Sequence, residues 1–158
     1  MMAEEQTTTL PDPAADAAAK NEPQPPTKPK YGYWWGTGRR KAAVARVRIR
    51  PGAGKFEING REIDKYFTEM RDRQDIIEPL KMTNTHDKLD VFVNIKGGGP
   101  TGQAGAIRLG VSRALKIYDS SLEEALRDKG MLSRDPRRVE RKKPGQPGAR
   151  KRFQFSKR

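Results

Sequence analysis

A glycine-rich segment with a lysine in front of it is the first place where this sequence could do chemistry. Residues 96–105 read KGGGPTGQAG, follow a predicted strand and open a predicted helix, and Gly97, Gly99 and Gly102 satisfy the spacing GxGxxG. Glycine-rich backbone at a helix N-terminus presents N–H donors and a partial positive charge, which suit an anion. Two interpretations stay open: an anion site, or a tight connection that needs glycine only for its backbone angles.

The common nucleotide-binding motifs do not fit this segment. A dinucleotide fold continues with a second strand that ends in an acidic residue, whereas no such unit follows the helix and Asp119 lies in a cap region. A P-loop needs Lys and then Ser or Thr, where this chain has Gln103 and Ala104. If the segment binds an anion, we therefore expect a nucleic-acid phosphate, with Lys96 beside it.

The C-terminal segment, residues 137–158, contains ten Lys or Arg and one acid, Glu140, for a net charge of +9. Its large apolar residues, Val139, Phe153 and Phe155, are too few to offset the entropy of ordering the chain. Nucleic acid neutralises such a segment and releases counterions from each contacted phosphate. The arginine-rich composition and interleaved phenylalanines favour nucleic acid over a solvated or nuclear-targeting tail or a membrane-surface arm.

The sequence contains no recognisable arrangement of catalytic residues. It has no cysteine, which excludes disulfides, zinc ribbons and thiol nucleophiles, and its single histidine, His86, lies in a polar stretch. The acids in the middle of the chain follow the solvent faces of predicted helices: Glu62, Asp64, Glu69, Asp72, Asp75 and Glu78. We predict a protein that is not an enzyme and uses no metal or cofactor.

Alternating apolar and polar residues predict the strands that hold these segments. Residues 43–50 and 89–96 alternate cleanly, and the polar side of the first of these strands is rich in arginine. The aromatic residues 31–35 predict a short strand that enters a turn at Gly36-Thr37-Gly38. After the turn 51–54, residues 56–58 predict the return strand of a hairpin, closed by Asn59-Gly60.

Helices are predicted between and after these strands. Apolar residues mark one helical face at 63–67 and another at 76–80, where Pro79 interrupts or bends the helix. Ile107, Val111, Leu115 and Tyr118 form the stripe of a long helix, and a short helix ends at Gly130. Strands and helices in this order predict an α+β domain of two layers.

Charge and composition divide the chain into three parts. Residues 1–30 are rich in Ala, Pro, Thr and Gln with a net charge of −2, which predicts a disordered extension. Residues 31–136 carry +6 and predict the globular domain, and 137–158 predict an extended basic tail. No secretory signal and no run of 18 apolar residues occurs, so we expect a cytoplasmic protein without a membrane span.

Four motifs in order resemble the small-subunit ribosomal protein nine family in its bacterial form. They are GTGRRKA at 36–42, KGGG with GQAGAIR at 96–108, SRDPR at 133–137, and ERKK at 140–143 together with QFSKR at 154–158. The resemblance covers about residues 33–158. It implies a structural protein of the small-subunit head that binds the 3′ domain of the ribosomal RNA (rRNA). It also implies neighbouring head proteins as partners and a tail that reaches the anticodon stem-loop of peptidyl-site tRNA.

The family fold implied by the resemblance is a two-layer sandwich of about four strands, with helices on one face, a left-handed βαβ crossover and a long extended tail. The implied tRNA-binding residues are Gln154, Ser156, Lys157 and Arg158. The implied rRNA-binding residues are Arg39, Arg40, Lys41, Arg46, Arg48, Lys96, Gly97, Gly98, Gly99, Arg108, Arg134, Arg137, Arg138, Arg141, Lys142, Lys143, Arg150, Lys151 and Arg152.

The segment 144–148, PGQPG, departs from the family pattern. Tails of this family usually continue with basic residues after the Lys-Lys pair, whereas these five residues carry no charge. We therefore expect fewer phosphate contacts here, with the path of the chain determined by backbone stiffness and turns.

Overall fold

A computed structural model describes residues 29–157; most of the predicted N-terminal extension and Arg158 lie outside the described residues. In chain order the elements are β1 (Trp34–Arg40), β2 (Ala43–Pro51), β3 (Phe56–Ile58), β4 (Arg61–Glu62), α1 (Ile63–Tyr66), α2 (Met70–Met82), β5 (Leu89–Lys96), α3 (Pro100–Tyr118) and α4 (Leu122–Asp128). The predicted α+β class is confirmed.

The strands form one sheet in the order β1-β2-β5-β3-β4. Five strands replace the four expected, because Asn59 and Gly60 turn the chain back into the two-residue strand β4. Only the β3–β5 pair is parallel. The chain between these two strands is the crossover whose left-handedness stays a prediction.

β3 does not return beside β2, so the predicted hairpin is wrong. It pairs with β5 on the side away from β2. The carboxylate of Asp90 on β5 accepts the backbone N–H groups of Ala53 and Lys55, each at 3.0 Å. These hydrogen bonds hold the connecting loop across the end of β5, where β2 no longer offers a free edge.

The first strand also differs from the expectation, since β1 continues through Gly36-Thr37-Gly38 without a turn. A Cβ on Gly38 would lie 1.8 Å from the carbonyl oxygen of Ala106, and one on Gly36 would lie 2.1 Å from that of Gly110. The backbone of α3 therefore packs directly on β1. These glycines mark a close helix–strand contact, which sequence patterns do not distinguish from a turn.

One face of the sheet is covered and the other faces solvent. Ala45, Val47 and Ile49 of β2 are fully buried with Val91 and Val93 of β5. They pack against Ile107, Val111 and Leu115 of α3, whose outer side receives Ile76 and Leu80 of α2. The alternate residues of β2 and β5 point away from this core, as their periodicity predicts.

Of the two predicted helix breakers, Pro79 and Gly130, only Gly130 ends a helix. Pro79 lies inside α2 without ending it. After α4, Gly130 adopts φ +66°, and the N–H of Met131 donates to the carbonyl of Leu126 at 3.0 Å, which is the Schellman arrangement. Buried Met131 thereby closes the core, and no described residue after it lies in a helix or strand.

Candidate nucleic-acid interface

The structure collects many of the predicted RNA-binding residues at one end of the sheet. Arg40 and Ala43 flank the turn between β1 and β2, and Val44 at the start of β2 pairs with Lys96 at the end of β5. The glycine segment and the N-terminus of α3 follow at once. We call this region the basic end, and it comprises Arg39, Arg40, Lys41, Lys96 and Arg108.

The glycines of the basic end have two different environments. Gly97 and Gly98 adopt φ +74° and +72°, and a Cβ on Gly97 would lie 2.7 Å from the carbonyl oxygen of Ala42. These two are therefore explained by backbone conformation and by close packing on the β1–β2 turn. Gly99 precedes α3 with no atom within 4 Å of its missing Cβ, so the helix N-terminus is open there.

No described residue after α3 lies in a strand, so β5, the glycine segment and α3 do not belong to a βαβ unit. The exclusion of a dinucleotide fold therefore agrees with the topology. Gln103 holds the segment: its amide nitrogen donates to the carbonyl of Gly97 at 3.2 Å, and its amide oxygen lies 3.0 Å from the Tyr66 hydroxyl.

Arg40 ties the basic end to the beginning of the C-terminal segment. Its Nη2 lies 3.1 Å from Oδ2 of Asp135. The side chain crosses α3 at Gly105, where a Cβ would lie 2.4 Å from its Cδ. The surrounding cleft is lined by Arg39, Arg40, Gly105, Arg108, Leu109, Met131, Ser133 and Asp135. Residues far apart in sequence, Arg39, Arg108 and the SRDPR motif, thus meet in one place.

Asp135, the partner of Arg40, also accepts hydrogen bonds from Arg137. The side chain of Arg137 donates from Nε at 3.1 and 3.2 Å and from Nη2 at 2.9 Å, and its backbone N–H donates at 3.0 Å. These hydrogen bonds, with a smaller contribution from Arg40, hold the pKa of the Asp135 carboxyl well below its usual range. The carboxylate stays ionised at neutral pH, and sequence reasoning missed it; a lone acid between arginines was the available signal.

The open face of the sheet carries two further predicted RNA-binding arginines, Arg46 and Arg48. Exposed Arg46 lies between Thr37 of β1 and Asn94 of β5 in the register, and Arg48 lies between Trp35 and Phe92. The guanidinium of Arg48 lies 5.5 Å from the ring centre of Tyr33 and 5.4 Å from that of Phe92. Sequence alternation identified Arg46 and Arg48 but not these aromatic neighbours, which depend on strand order.

The cations of the C-terminal segment as far as Lys157, the last described residue, lie exposed, as does Arg134 before it. Its apolar side chains are exposed too: Val139 at 93%, Phe153 at 75% and Phe155 at 85%. Arg150 forms a bidentate pair with Glu140, with Nε at 3.0 and 3.1 Å from the carboxylate oxygens. The exposed cations here are Arg137, Arg138, Arg141, Lys142, Lys143, Arg150, Lys151, Arg152 and Lys157.

The predicted tRNA-binding residues lie at the far end of this segment. Gln154, Ser156 and Lys157 are exposed, and Arg158 lies outside the described residues. The span 144–148 contains a turn, in which Gln146 donates to the carbonyl of Lys143 at 3.3 Å and Gly145 adopts φ +70°.

Other kinds of site find no support in residues 29–157. Within that range no group of three His, Cys, Asp or Glu side chains could hold a metal ion. In the same range, no helix combines the length and the apolar character that crossing a bilayer requires.

Comparison with known proteins identifies the family. The family model described as ribosomal protein S9/S16 matches residues 38–158. Proteins named small ribosomal subunit protein uS9 from Anaeromyxobacter sp. (strain K) and Anaeromyxobacter dehalogenans (strain 2CP-1 / ATCC BAA-258) are each 57% identical over 121 residues. Each alignment covers 77% of this chain and 93% of the relative. The chain therefore belongs to the ribosomal protein S9 family.

Proposed function

We propose that this chain binds the 3′ domain of rRNA in the head of the small ribosomal subunit, beside other head proteins, and contacts peptidyl-site tRNA with its last residues. The coarser part of this function follows from the family: the chain is a structural ribosomal protein of the small subunit and not an enzyme.

The observation that carries the proposal is the meeting of three separate basic motifs at the basic end. Arg39 and Arg40 end β1 and Lys41 lies in the turn that follows. Lys96 comes from β5 and Arg108 from α3. Asp135 offsets the charge of Arg40 and Glu78 lies 3.7 Å from Arg108, so the cluster is only partly compensated within the protein. Repulsion among the remaining cations costs free energy unless a polyanion neutralises them. RNA phosphates supply that charge, and arginine forks bind them in a defined orientation.

The C-terminal segment supplies a second kind of contact. Its cations as far as Lys157 are exposed, and the side chains of residues 137–157 have no apolar core to pack on. The entropy cost of ordering it therefore falls at the binding step, when phosphates of converging RNA helices neutralise it. The uncharged turn at 144–148 makes fewer phosphate contacts and directs the chain between them.

The last residues are proposed to hold tRNA without reading its sequence. Lys157 and Arg158 would neutralise phosphates of the anticodon stem-loop, with Gln154 and Ser156 as polar contacts. A site that accepts every elongating tRNA gains from backbone contacts and not from base contacts, since phosphate contacts carry no sequence information.

Deleting Ser156 to Arg158 tests the tRNA contact. Subunits reconstituted with this variant are expected to assemble almost normally and to release peptidyl-site tRNA faster, as measured by filter binding of labelled tRNA. The control, Lys142→Gln with Lys143→Gln, removes the same number of cations elsewhere and should leave tRNA release unchanged. Unchanged tRNA release from the deletion variant contradicts the proposed tRNA contact.

Sucrose-gradient fractionation of cells tests the location. The chain should sediment with small subunits, in the cytoplasm, and the free pool should be small. A large pool of the protein outside ribosomes would favour the alternative of a free nucleic-acid chaperone or regulator.

A further inference from the structure

We propose that the open side of the sheet stacks an unpaired RNA base on an aromatic–arginine face, formed by Tyr33, Trp35, Arg48, Arg50 and Phe92. The inference rests on the proposed RNA-binding function and adds a contact of different chemistry to it. The basic end and the C-terminal segment offer charge to phosphates, whereas this face offers flat π surfaces to a base.

The face is a layer of aromatic rings and guanidinium groups that contact one another. The ring of Tyr33 meets Trp35 at 6.5 Å and Phe92 at 6.2 Å, both edge to face. Arg48 and Arg50 lie over the ring of Phe92 at 5.4 and 5.1 Å. Guanidinium groups held over an aromatic ring by cation–π attraction add positive charge to the face, and a guanidinium can itself stack on a base.

The backbone before β1 orients this layer before any ligand arrives. Lys30 and Tyr33 exchange two backbone hydrogen bonds of 3.0 and 3.1 Å around a turn in which Gly32 adopts φ +77°. The indole N–H of Trp35 donates to the carbonyl of Lys30 at 3.4 Å. Ring positions are therefore held by the fold, which lowers the entropy cost of stacking a base.

Aromatic residues on the solvent side of the sheet are not explained by the core. The core lies on the opposite face under α3, and no described element packs over this one. Trp35 keeps 43% of its surface exposed, which is a large aromatic area to leave in water. A binding partner with a flat aromatic group would cover this exposed surface.

Charge favours RNA as that partner. Arg46 and Arg39 are exposed beside the layer, and Arg46 has the polar side chains of Thr37 and Asn94 as its cross-strand neighbours. Two acids border the layer, and both are engaged. Asp90 is bound by Arg50 at 3.2 Å and by two backbone N–H groups. Glu57, which lies opposite Phe92 in the register, pairs with Lys55 at 2.6 Å. A base on the layer would place its phosphates near uncompensated arginines, and unpaired bases are what RNA-binding sheets stack.

The test compares two oligomers that carry the same phosphates. The full-length protein is titrated with a labelled single-stranded RNA of eight nucleotides and with an abasic oligomer of the same length, by fluorescence anisotropy at one salt concentration. We expect Trp35→Ala to weaken binding of the base-containing oligomer by about tenfold. Binding of the abasic oligomer should not change.

Three further variants make the result specific. Trp35→Phe should recover most of the lost affinity, and Arg48→Lys, which keeps the charge but loses the plane, should behave like a weaker form of Trp35→Ala. Ile117→Ala removes an apolar residue of similar exposure on α3, 38%, and should affect neither oligomer. Thermal unfolding of each variant shows whether it is folded.

The outcomes separate the inference from the function on which it rests. Equal effects of Trp35→Ala on both oligomers, or no effect on either, overturn base stacking. Failure of the wild-type protein to bind the abasic oligomer at low salt would instead contradict the proposed phosphate contacts. If subunits containing Trp35→Ala lose a neighbouring protein with unchanged chemical reactivity of their rRNA bases, the face is a protein interface and the inference is wrong.

Discussion

The basic end of the domain and the C-terminal segment are both rich in arginine and lysine, but the fold orients these side chains only in the basic end. Arg40 is half-buried, crosses α3 at a glycine and reaches Asp135 at 3.1 Å. Arg150 is exposed and pairs with Glu140 within the same segment. One arginine is oriented by the fold, and the other only by a local carboxylate that water and salt compete for.

In the proposed RNA binding, this difference gives the two regions different roles. A preorganised cluster loses little entropy on binding and can define orientation, while a segment without a core gains its order from the RNA itself. Changes in the domain should therefore appear first in folding stability. Changes in the segment should appear only in binding and in its salt dependence.

The largest expected effect comes from matched glycine substitutions in the two regions. Gly38→Ala would place a Cβ 1.8 Å from the carbonyl oxygen of Ala106 and 2.5 Å from the amide of Gly110, so β1 and α3 must separate. We expect a loss of more than about 4 kcal/mol in the free energy of unfolding, or failure to fold. In Gly148→Ala the nearest atom is 3.4 Å away, and urea denaturation should show no change. Similar shifts in both variants would remove the distinction between the regions.

Removing cations from the C-terminal segment tests the other half of the comparison. Arg141→Gln, Lys142→Gln and Lys143→Gln together should lower the affinity for 3′-domain rRNA roughly a hundredfold near physiological salt, and reduce the log–log salt slope by about 2 to 3. The unfolding midpoint should not move. A control with Arg71→Gln, Lys81→Gln and Lys129→Gln has the same net charge but leaves the segment intact. If the control weakens binding equally, net charge and not position controls affinity.

A buried carboxylate of the domain should behave unlike the exposed ones. The backbone N–H of Lys55, with further help from Ala53 and Arg50, holds the pKa of Asp90 below its usual value. Asp90→Asn should cost about 1–3 kcal/mol of unfolding free energy at pH 7, because the Asp90 oxygens accept hydrogen bonds from these three donors.

The sign of the pH dependence follows from the lowered pKa. Asp90 contributes its stability above the unfolded-state pKa of about 3.9, and the contribution is lost as pH falls through the lower folded-state value. Urea denaturation of wild-type and Asp90→Asn protein should therefore converge below about pH 4. Glu140→Gln in the C-terminal segment should leave the free energy of unfolding unchanged, both at neutral pH and below about pH 4.

The sequence predicted those elements whose signal is periodic. The alternation in residues 43–50 and 89–96 corresponds to β2 and β5, because burial of one strand face imposes a period of 2. The apolar stripe from Ile107 to Tyr118 corresponds to α3, because burial of one helix face imposes a period of 3.6. The partner of β3 could not be predicted, since β3 pairs with β5, more than 30 residues further along the chain, and no local pattern encodes that choice. Gly36 and Gly38 suggested a turn because glycine serves both turns and close packing.

The candidate site was predictable to a similar extent. Charge and motif spacing identified the cations, while the aromatic neighbours of Arg48 come from strands β1 and β5 and follow only from sheet order. The contact between Arg40 and Asp135 joins β1 to the segment after α4, and no local pattern encodes a contact of that length. The structure adds the contacts between residues that lie far apart in the sequence.

The smallest effect should separate stability from binding within a single residue. Lys41 in the β1–β2 turn adopts φ +51°, a left-handed conformation that costs a lysine about 1–2 kcal/mol. Glycine relieves this strain but adds entropy to the unfolded chain, so Lys41→Gly should raise the free energy of unfolding by no more than about 1 kcal/mol. The same change removes a cation from the basic end and should weaken rRNA binding several-fold.

Lys142→Gly gives the matched comparison in the C-terminal segment, where it should weaken rRNA binding to a similar degree without changing stability. Urea denaturation and filter binding of both variants then measure separately what each lysine contributes to stability and to rRNA binding. Strained residues that persist in a fold often serve a function. A gain in stability at Lys41 with no loss of binding would show that this strain serves something other than a phosphate contact.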